Sequence, residues 1–173
     1  SGIGRAVANI FAENEHNIIC SSRDENELNS LVSDLRIRYD IKAFAVPVDL
    51  TNNLSIKKFI KRCYALFKTI DCCIVTAAVM DSVDKPYYDD EELINTTNAN
   101  YTGIALVLNE ISRRMADNNS GVIMCLSSVA GERGRQSNFI YGASKSAVIT
   151  YLQGLRMKMF KHHVHVITVL PGY

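Results

Sequence analysis

The run Val122-Ile123-Met124-Cys125-Leu126-Ser127, a helix-period stretch from Tyr141 to Phe160, and the run Val164-His165-Val166-Ile167-Thr168-Val169-Leu170 together decide the fold. Two short apolar strands joined by a long helix form a β-α-β unit, which makes the strands parallel. Upstream the same alternation repeats. A helix is expected over Ile3–Asn14 and a strand over Asn17–Ser22. Asp24 then caps a helix, with Glu27 three residues on and Leu28, Leu31, Val32 and Leu35 at helical spacing. Strands follow at Ala43–Val48 and Cys72–Ala77. Between them Thr51 opens a helix whose apolar face is Phe59, Ile60, Cys63, Tyr64 and Phe67. One long helix covers Glu91–Met115. Short apolar strands without polar alternation predict burial on both faces, hence an α/β, doubly wound, Rossmann-type parallel sheet. Ligands in such sheets lie beyond the carboxyl ends of the strands.

The bulk properties set the frame. The 173 residues suffice for one domain, with 47% hydrophobic and 21% charged residues. A net charge of +1 without a basic block implies neither nucleic acid nor an anionic membrane as partner. No apolar run is long enough to span a bilayer and no signal peptide opens the chain, so a cytoplasmic location is expected. Three prolines and nine glycines leave no linker. Cys20, Cys63, Cys72, Cys73 and Cys125 lack CxxC spacing and read as reduced thiols, mostly buried. His162, His163 and His165 have no carboxylate or thiol at metal-ligand spacing, so no metal site is expected.

The residues with chemistry sit mostly at strand ends. Tyr141 and Lys145 are four residues apart, on one helix face. An ammonium beside a phenol favours the phenolate and lowers its pKa from about 10. That suits a general acid or base for a hydroxyl–ketone interconversion, although such a pair also arises as a half-buried aromatic and a solvated charge. Ser127-Ser128 ends a strand, as a donor to a carbonyl oxygen or as a turn. Asn100 lies inside a helix, where it faces solvent or binds a carbonyl or water at a bend. Gly2-Ile3-Gly4 opens a helix that either cradles a pyrophosphate or is an ordinary helix start. Arg23 is a surface charge or a partner for the extra phosphate of NADP, and Asp49 accepts from an adenine amino group or begins a turn.

Together these pieces resemble the short-chain dehydrogenase/reductase family along the whole chain, from Ser1 to Tyr173. Ser128 stands thirteen residues before Tyr141-Gly142-Ala143-Ser144-Lys145, and Asn100-Tyr101-Thr102-Gly103 starts twenty-eight residues before Ser128. The resemblance implies an NAD(P)(H)-dependent oxidoreductase acting on a secondary alcohol or a ketone. Tyr141 would protonate the alkoxide, and Lys145 would lower the Tyr141 pKa and hold the nicotinamide ribose. Ser128 would polarise the carbonyl, and Asn100 would hold a water relaying protons from Lys145. Gly2, Ile3 and Gly4 match the end of the phosphate loop, Asp49 and Leu50 the adenine-side pair, and Pro171 and Gly172 the segment beside the nicotinamide. The family's Asn-Asn-Ala-Gly is replaced here by Thr76-Ala77-Ala78-Val79. The Ala77-Ala78 backbone can still line the cofactor, but Val79 resists the positive φ that a glycine accepts.

NADP(H) is favoured over NAD(H) because of Arg23. A small-molecule substrate and a homodimer or homotetramer are implied, with Leu106, Val107, Ile111, Met115, Ile149, Leu152 and Leu155 as candidate subunit surface or as core. Ser127 to Arg135, with Asn138-Phe139-Ile140-Tyr141-Gly142 and Gly154-Leu155-Arg156, resembles a sugar-nucleotide or lipid-linked-sugar branch of the family that includes the reductase component of decaprenylphosphoryl-ribose 2-epimerase. On that reading the substrate is a keto-sugar, and Arg133 and Arg135 meet it or are solvated. The family's first strand and its C-terminal substrate segment are absent from the sequence, so a single truncated domain with exposed strand edges is expected. The competing functions are a non-catalytic nucleotide-binding or scaffold protein on the same fold, and a partial-gene product. Such non-catalytic relatives lose the Tyr or the Lys, and both are kept here.

Overall fold

The computed structural model describes residues 2–80 and 89–172. Ser1 and Tyr173, the ends of the run carrying the resemblance, lie outside the described residues. Helices and strands alternate as α1 (Gly2–Glu13), β1 (Ile18–Cys20), α2 (Glu25–Tyr39), β2 (Ala43–Ala45), α3 (Asn53–Leu66) and β3 (Cys72–Val75). These are followed by α4 (Asp90–Thr97), α5 (Gly103–Asn118), β4 (Gly121–Leu126), α6 (Phe139–Met159) and β5 (Val164–Val169). All strand pairs are parallel, so the α/β, doubly wound reading holds. The first two strands are shorter than expected, yet pairing runs past them. Val46 N–H donates to Cys20 O, and Val48 N–H to Ser22 O.

Three local readings change. Asn52, not Thr51, caps α3, accepting from Ser55 N–H at 3.0 Å. Thr51 instead donates through both N–H and hydroxyl to Asp49 Oδ1. The long helix expected over Glu91–Met115 is broken by a π turn over Asn98–Thr102, where Gly103 N–H reaches back five residues to Asn98 O. The strands are also not buried on both faces. Along β5, Val164 and Val166 are buried while His165 and Ile167 are exposed. The main core gathers α3, α5 and α6 on one face of β3, β4 and β5, through Ile60, Ile104, Leu108, Ile123, Leu152 and Val166. A second core, with Ala12, Leu28, Leu35 and Ala43, joins α1 and α2 to β1 and β2. Val107, Ile111, Met115, Leu152 and Leu155 belong to the main core rather than to a subunit surface, while Leu106 is exposed.

Among the described residues the strands form two sheets, β1-β2 and β3-β4-β5. A cleft of about 1040 Å³ runs between β1 and β3. Ladder parity tells which groups face it. Ser22 O and Cys20 O serve β2, and Asp71 O serves β4. The alternate residues Ile19 and Ser21 on one side, and Cys72, Ile74 and Thr76 on the other, therefore turn their main-chain groups toward the cleft. The outer edges are treated differently. Arg36 Nε donates to Ala43 O on β2 at 2.6 Å, and Arg156 Nε donates to Val166 O on β5 at 2.7 Å. Each outer edge thus has a carbonyl already occupied by a guanidinium, which blunts pairing with another strand. Among the described residues no helix is long and apolar enough to cross a membrane.

Candidate active site

The carboxyl ends of all five strands bear candidate residues: Arg23 after β1, Asp49 and Leu50 after β2, Ala77 and Ala78 after β3, Ser128 after β4, and Pro171 and Gly172 after β5. Two glycines draw the catalytic half together. A Cβ on Gly142 would sit 2.8 Å from Ala130 O, and one on Gly131 would sit 2.8 Å from Ser146 N. The 3-10 turn Val129–Gly131, capped by Ser128, therefore packs directly on the first turns of α6, which carry Tyr141 and Lys145. Val129 N–H donates to Pro171 O at 3.3 Å, which ties the Pro171-Gly172 segment to the same turn.

The two serines separate cleanly. Ser127 is buried and donates its hydroxyl to Lys145 O at 2.9 Å. Ser128 is half-buried, and its Oγ accepts from Ala130 N–H at 3.1 Å. An acceptor lone pair of Ser128 is used, and among the described residues its O–H meets no acceptor, so Ser128 is the serine equipped to donate to a further oxygen.

Lys145 is 1% exposed. Its Nζ donates to Leu126 O at 3.2 Å and sits 5.8 Å from the centroid of the Tyr141 ring. Burial holds its pKa below the usual lysine value, opposed by the neighbouring Cys125 thiol. The helical spacing predicted one face for Tyr141 and Lys145, and both lie on α6 with the ammonium against the ring.

Asn100 is 0% exposed, in the π turn. Its Oδ1 accepts from Val79 N–H at 2.7 Å. Its Nδ2 donates to Val79 O at 2.7 Å and to Ser144 Oγ at 3.2 Å. Ser144 in turn donates to Tyr141 O at 2.7 Å. The side chain thus clasps the loop after β3 to α6. These bonds engage both the oxygen and the nitrogen of the Asn100 side chain. Val79 is not among the residues with positive φ, so the loop needs no glycine there. The roles of Val79, Ser144, Ser127 and Leu126 O were missed from sequence. Ser144 and Ser127 stood beside recognised motif residues and Val79 ended one motif segment, yet no spacing reveals a bond to backbone.

After β2, the two bonds from Thr51 hold the Asp49 carboxyl below its usual range, with help from the nearby Arg23 charge. Arg23 is exposed, while Asp24 spends Oδ1 on Glu27 N–H at 2.9 Å. Gly2 and Gly4 lie in the first turn of α1, and a Cβ on Gly2 would meet nothing within 4 Å. Gly4, Ser22, Arg23, Asp49, Ala77 and Ala78 all line the cleft. A helix start and an exposed guanidinium offer donors, and the fixed Asp49 carboxylate an acceptor, a combination that fits a dinucleotide. Arg133 and Arg135 are exposed in the turn before α6.

A family model described as short chain dehydrogenase matches residues 1–173. An uncharacterized oxidoreductase of Staphylococcus haemolyticus is 26% identical over 172 residues, which is 99% of this chain and 73% of that protein. Among solved structures, the bulky-bulky ketone specific alcohol dehydrogenase of Comamonas testosteroni matches at TM-score 0.91 and 25% identity, over 98% of this chain and 68% of that one. A short-chain dehydrogenase of Sphingobium yanoikuyae, solved with NADPH, matches at TM-score 0.91 and 25% identity, over 98% of this chain and 66% of that one.

Proposed function

Because this chain belongs to the short-chain dehydrogenase family, we propose that it interconverts a ketone and a secondary alcohol by hydride transfer, with Asn100, Ser128, Tyr141 and Lys145 as its working residues. The observation that carries this is the bonded chain from Val79 through Asn100 and Ser144 to Tyr141, beside a buried Lys145 held against the Tyr141 ring. Gly2, Ile3, Gly4, Arg23, Asp49, Leu50, Ala77, Ala78, Pro171 and Gly172 would hold a nicotinamide cofactor, which supplies or accepts the hydride. Ser128 donates its free O–H to the substrate carbonyl oxygen and fixes its direction. Tyr141 delivers the proton as negative charge gathers on that oxygen. Lys145, anchored by Leu126 O, holds its side-chain nitrogen against the Tyr141 ring and reaches the nicotinamide ribose. Asn100 acts at one remove, setting the positions of Val79 and Ser144.

NADP(H) is the preferred cofactor in this reading and NAD(H) the alternative. The support is that Arg23 is exposed on the rim while Asp24 is turned into a helix cap. The proposal includes a parallel strand from sequence outside residues 1–173 filling the cleft between β1 and β3. It also includes a homodimer or homotetramer, with the shallow groove of Tyr101, Ala143, Ala147 and Tyr151 as a subunit contact. A keto-sugar remains the substrate suggested by the resemblance around Ser127–Arg135.

The test compares NADH- and NADPH-dependent reduction of a ketone and keto-sugar panel by the wild type and Tyr141→Phe. General acid catalysis contributes about 10²–10⁴-fold, so Tyr141→Phe loses that much turnover while still binding cofactor. Near-normal turnover in Tyr141→Phe overturns the assignment. A wild type that binds nucleotide but reduces nothing favours the non-catalytic reading.

A further inference from the structure

The net charge of +1 averages over an uneven distribution. The stretch from Leu50 to Ile70 holds Lys57, Lys58, Lys61, Arg62 and Lys68 and no aspartate or glutamate. The first four stand on α3. At about 100° per residue they fall within an arc of about 140°, and Leu54 falls inside the same arc. Ile56, Ile60 and Cys63 lie on the opposite side and are buried, so this arc is the outer face of the helix. All four cations are exposed, and Leu54 is 61% exposed among them. Phe59 and Tyr64 are turned the other way, toward the cleft that they help to line.

The cations of α1, α2 and α5 are engaged. Arg5 pairs with Glu27, Arg38 with Asp34, and Arg113 and Arg114 with Glu110, while Arg36 donates to Ala43 O. Lys57, Lys58, Lys61 and Arg62 make no ion pair or side-chain hydrogen bond among the described residues. Nor do they serve α3 itself. Its last turn, where a cation would meet the helix dipole, holds no basic residue. Lys57 with Lys61, and Lys58 with Arg62, are like charges one turn apart, which weakens a helix. The arrangement opposes its own helix, and no group of the chain offsets it.

We propose that the outer face of α3 docks the protein on an anionic phospholipid surface. Headgroup phosphates and carboxylates supply the negative charge that the chain withholds from these four residues. Three of the four are lysines, whose long apolar stems let the ammonium stay among headgroups while Leu54 sinks between them. Nucleic acid fits less well. The face is one convex helix with no groove, it carries no aromatic ring on which a base could stack, and lysines lack the fork that reads base edges. The docked orientation keeps the candidate active site open. α3 joins the parallel strands β2 and β3 and so runs back antiparallel to them. A bilayer lying along α3 therefore leaves the carboxyl ends of the strands facing sideways into water.

Cosedimentation of the full chain with vesicles tests this, comparing pure phosphatidylcholine with phosphatidylcholine containing about one-third phosphatidylserine. The wild type is expected on the anionic vesicles and not on the neutral ones, and should leave them as salt rises from about 0.1 to about 0.5 M. Each cation near such a surface is worth about fivefold in partition, so Lys57→Gln with Lys61→Gln should bind about 25-fold more weakly. Removing like charges one turn apart keeps the thermal midpoint level or raises it, which separates lost docking from lost folding. Leu54→Asn should lose at least about threefold. Lys158→Gln with Lys161→Gln makes the same change of net charge on α6 and should lose under about threefold. Equal losses from the two lysine pairs mean that binding follows net charge, and overturn the assignment to α3. Absence of any preference for anionic vesicles overturns it too. Tighter retention on RNA than on vesicles, insensitive to Leu54→Asn, hands the face to nucleic acid instead. Salt-sensitive self-association without vesicle binding, lost with the Lys57 and Lys61 changes, hands it to the acidic run Asp89–Glu92 of a second copy.

Discussion

Replacing Asn100 by alanine removes three hydrogen bonds at once: two to the main chain of Val79 and one to Ser144 Oγ. A net bond is worth about 1 kcal/mol, and the abandoned Val79 groups stay half-buried, so the expected loss is about 3 kcal/mol. At this chain length 1 kcal/mol shifts the melting point by about 2–4 °C, giving a fall of about 6–12 °C. Asn100→Asp should do no better. A carboxylate can still accept from Val79 N–H but sets negative charge against Val79 O. Calorimetry on both variants checks the total, and amide hydrogen exchange checks the place, since Val79 N–H should exchange at least about tenfold faster. A melting point within about 1 °C of wild type, with Val79 exchange unchanged, would refute the clasp as a stabilising link.

Other consequences are equally open to measurement. A Cβ on Gly103 would run into Leu50 O, so Gly103→Ala must move either α5 or the turn after β2, and a loss of about 3 kcal/mol or more is expected in urea denaturation. Gly154 in α6 faces open space, and Gly154→Ala should instead gain about 0.5–1 kcal/mol; a loss there would point to a second chain packed on α6. Burial pushes the thiols of Cys125 and Cys63 up to about 11 and about 12 from 9.0. Their folded values are raised, so the stability they contribute is complete below pH 9 and is lost as pH climbs through 11 to 12. Cys125→Ala should flatten part of that alkaline decline, by about 3 kcal/mol across the window, when midpoints are compared from pH 8 upward; an unchanged slope contradicts it. Arg156→Leu uncovers Val166 O on β5, and light scattering should register increased self-association.

The order of elements was legible because each depends on local periodicity. Asp24 with Glu27 marked the start of α2, and the apolar runs marked every strand. Burial on both faces was misjudged because apolar composition does not say which face a helix covers: Ile167 is as apolar as Val166 and yet exposed. Tyr141 and Lys145 were readable from one helical turn. What escaped was whatever runs through backbone. No side-chain pattern reveals that Asn100 will hold Val79, that Leu126 O will anchor Lys145, or that Ser127 and Ser128 will divide donor from acceptor. The Thr51 cap failed for a similar reason, since Asp49 offered its hydroxyl and N–H a nearer partner.

The turn at Asn98–Thr102 carries one residue more than an α-helical turn needs, as the bond from Gly103 back to Asn98 records. Its natural opposite is a deletion rather than a substitution. Losing any one of these residues restores an uninterrupted helix and rotates everything on one side of it by about 100° relative to the other. Asn100 and Gly103 would then no longer face Val79 and Leu50 together. One extra residue in this turn therefore supports both contacts at once. A variant missing it would keep a well-formed helix and lose the joint between its two halves.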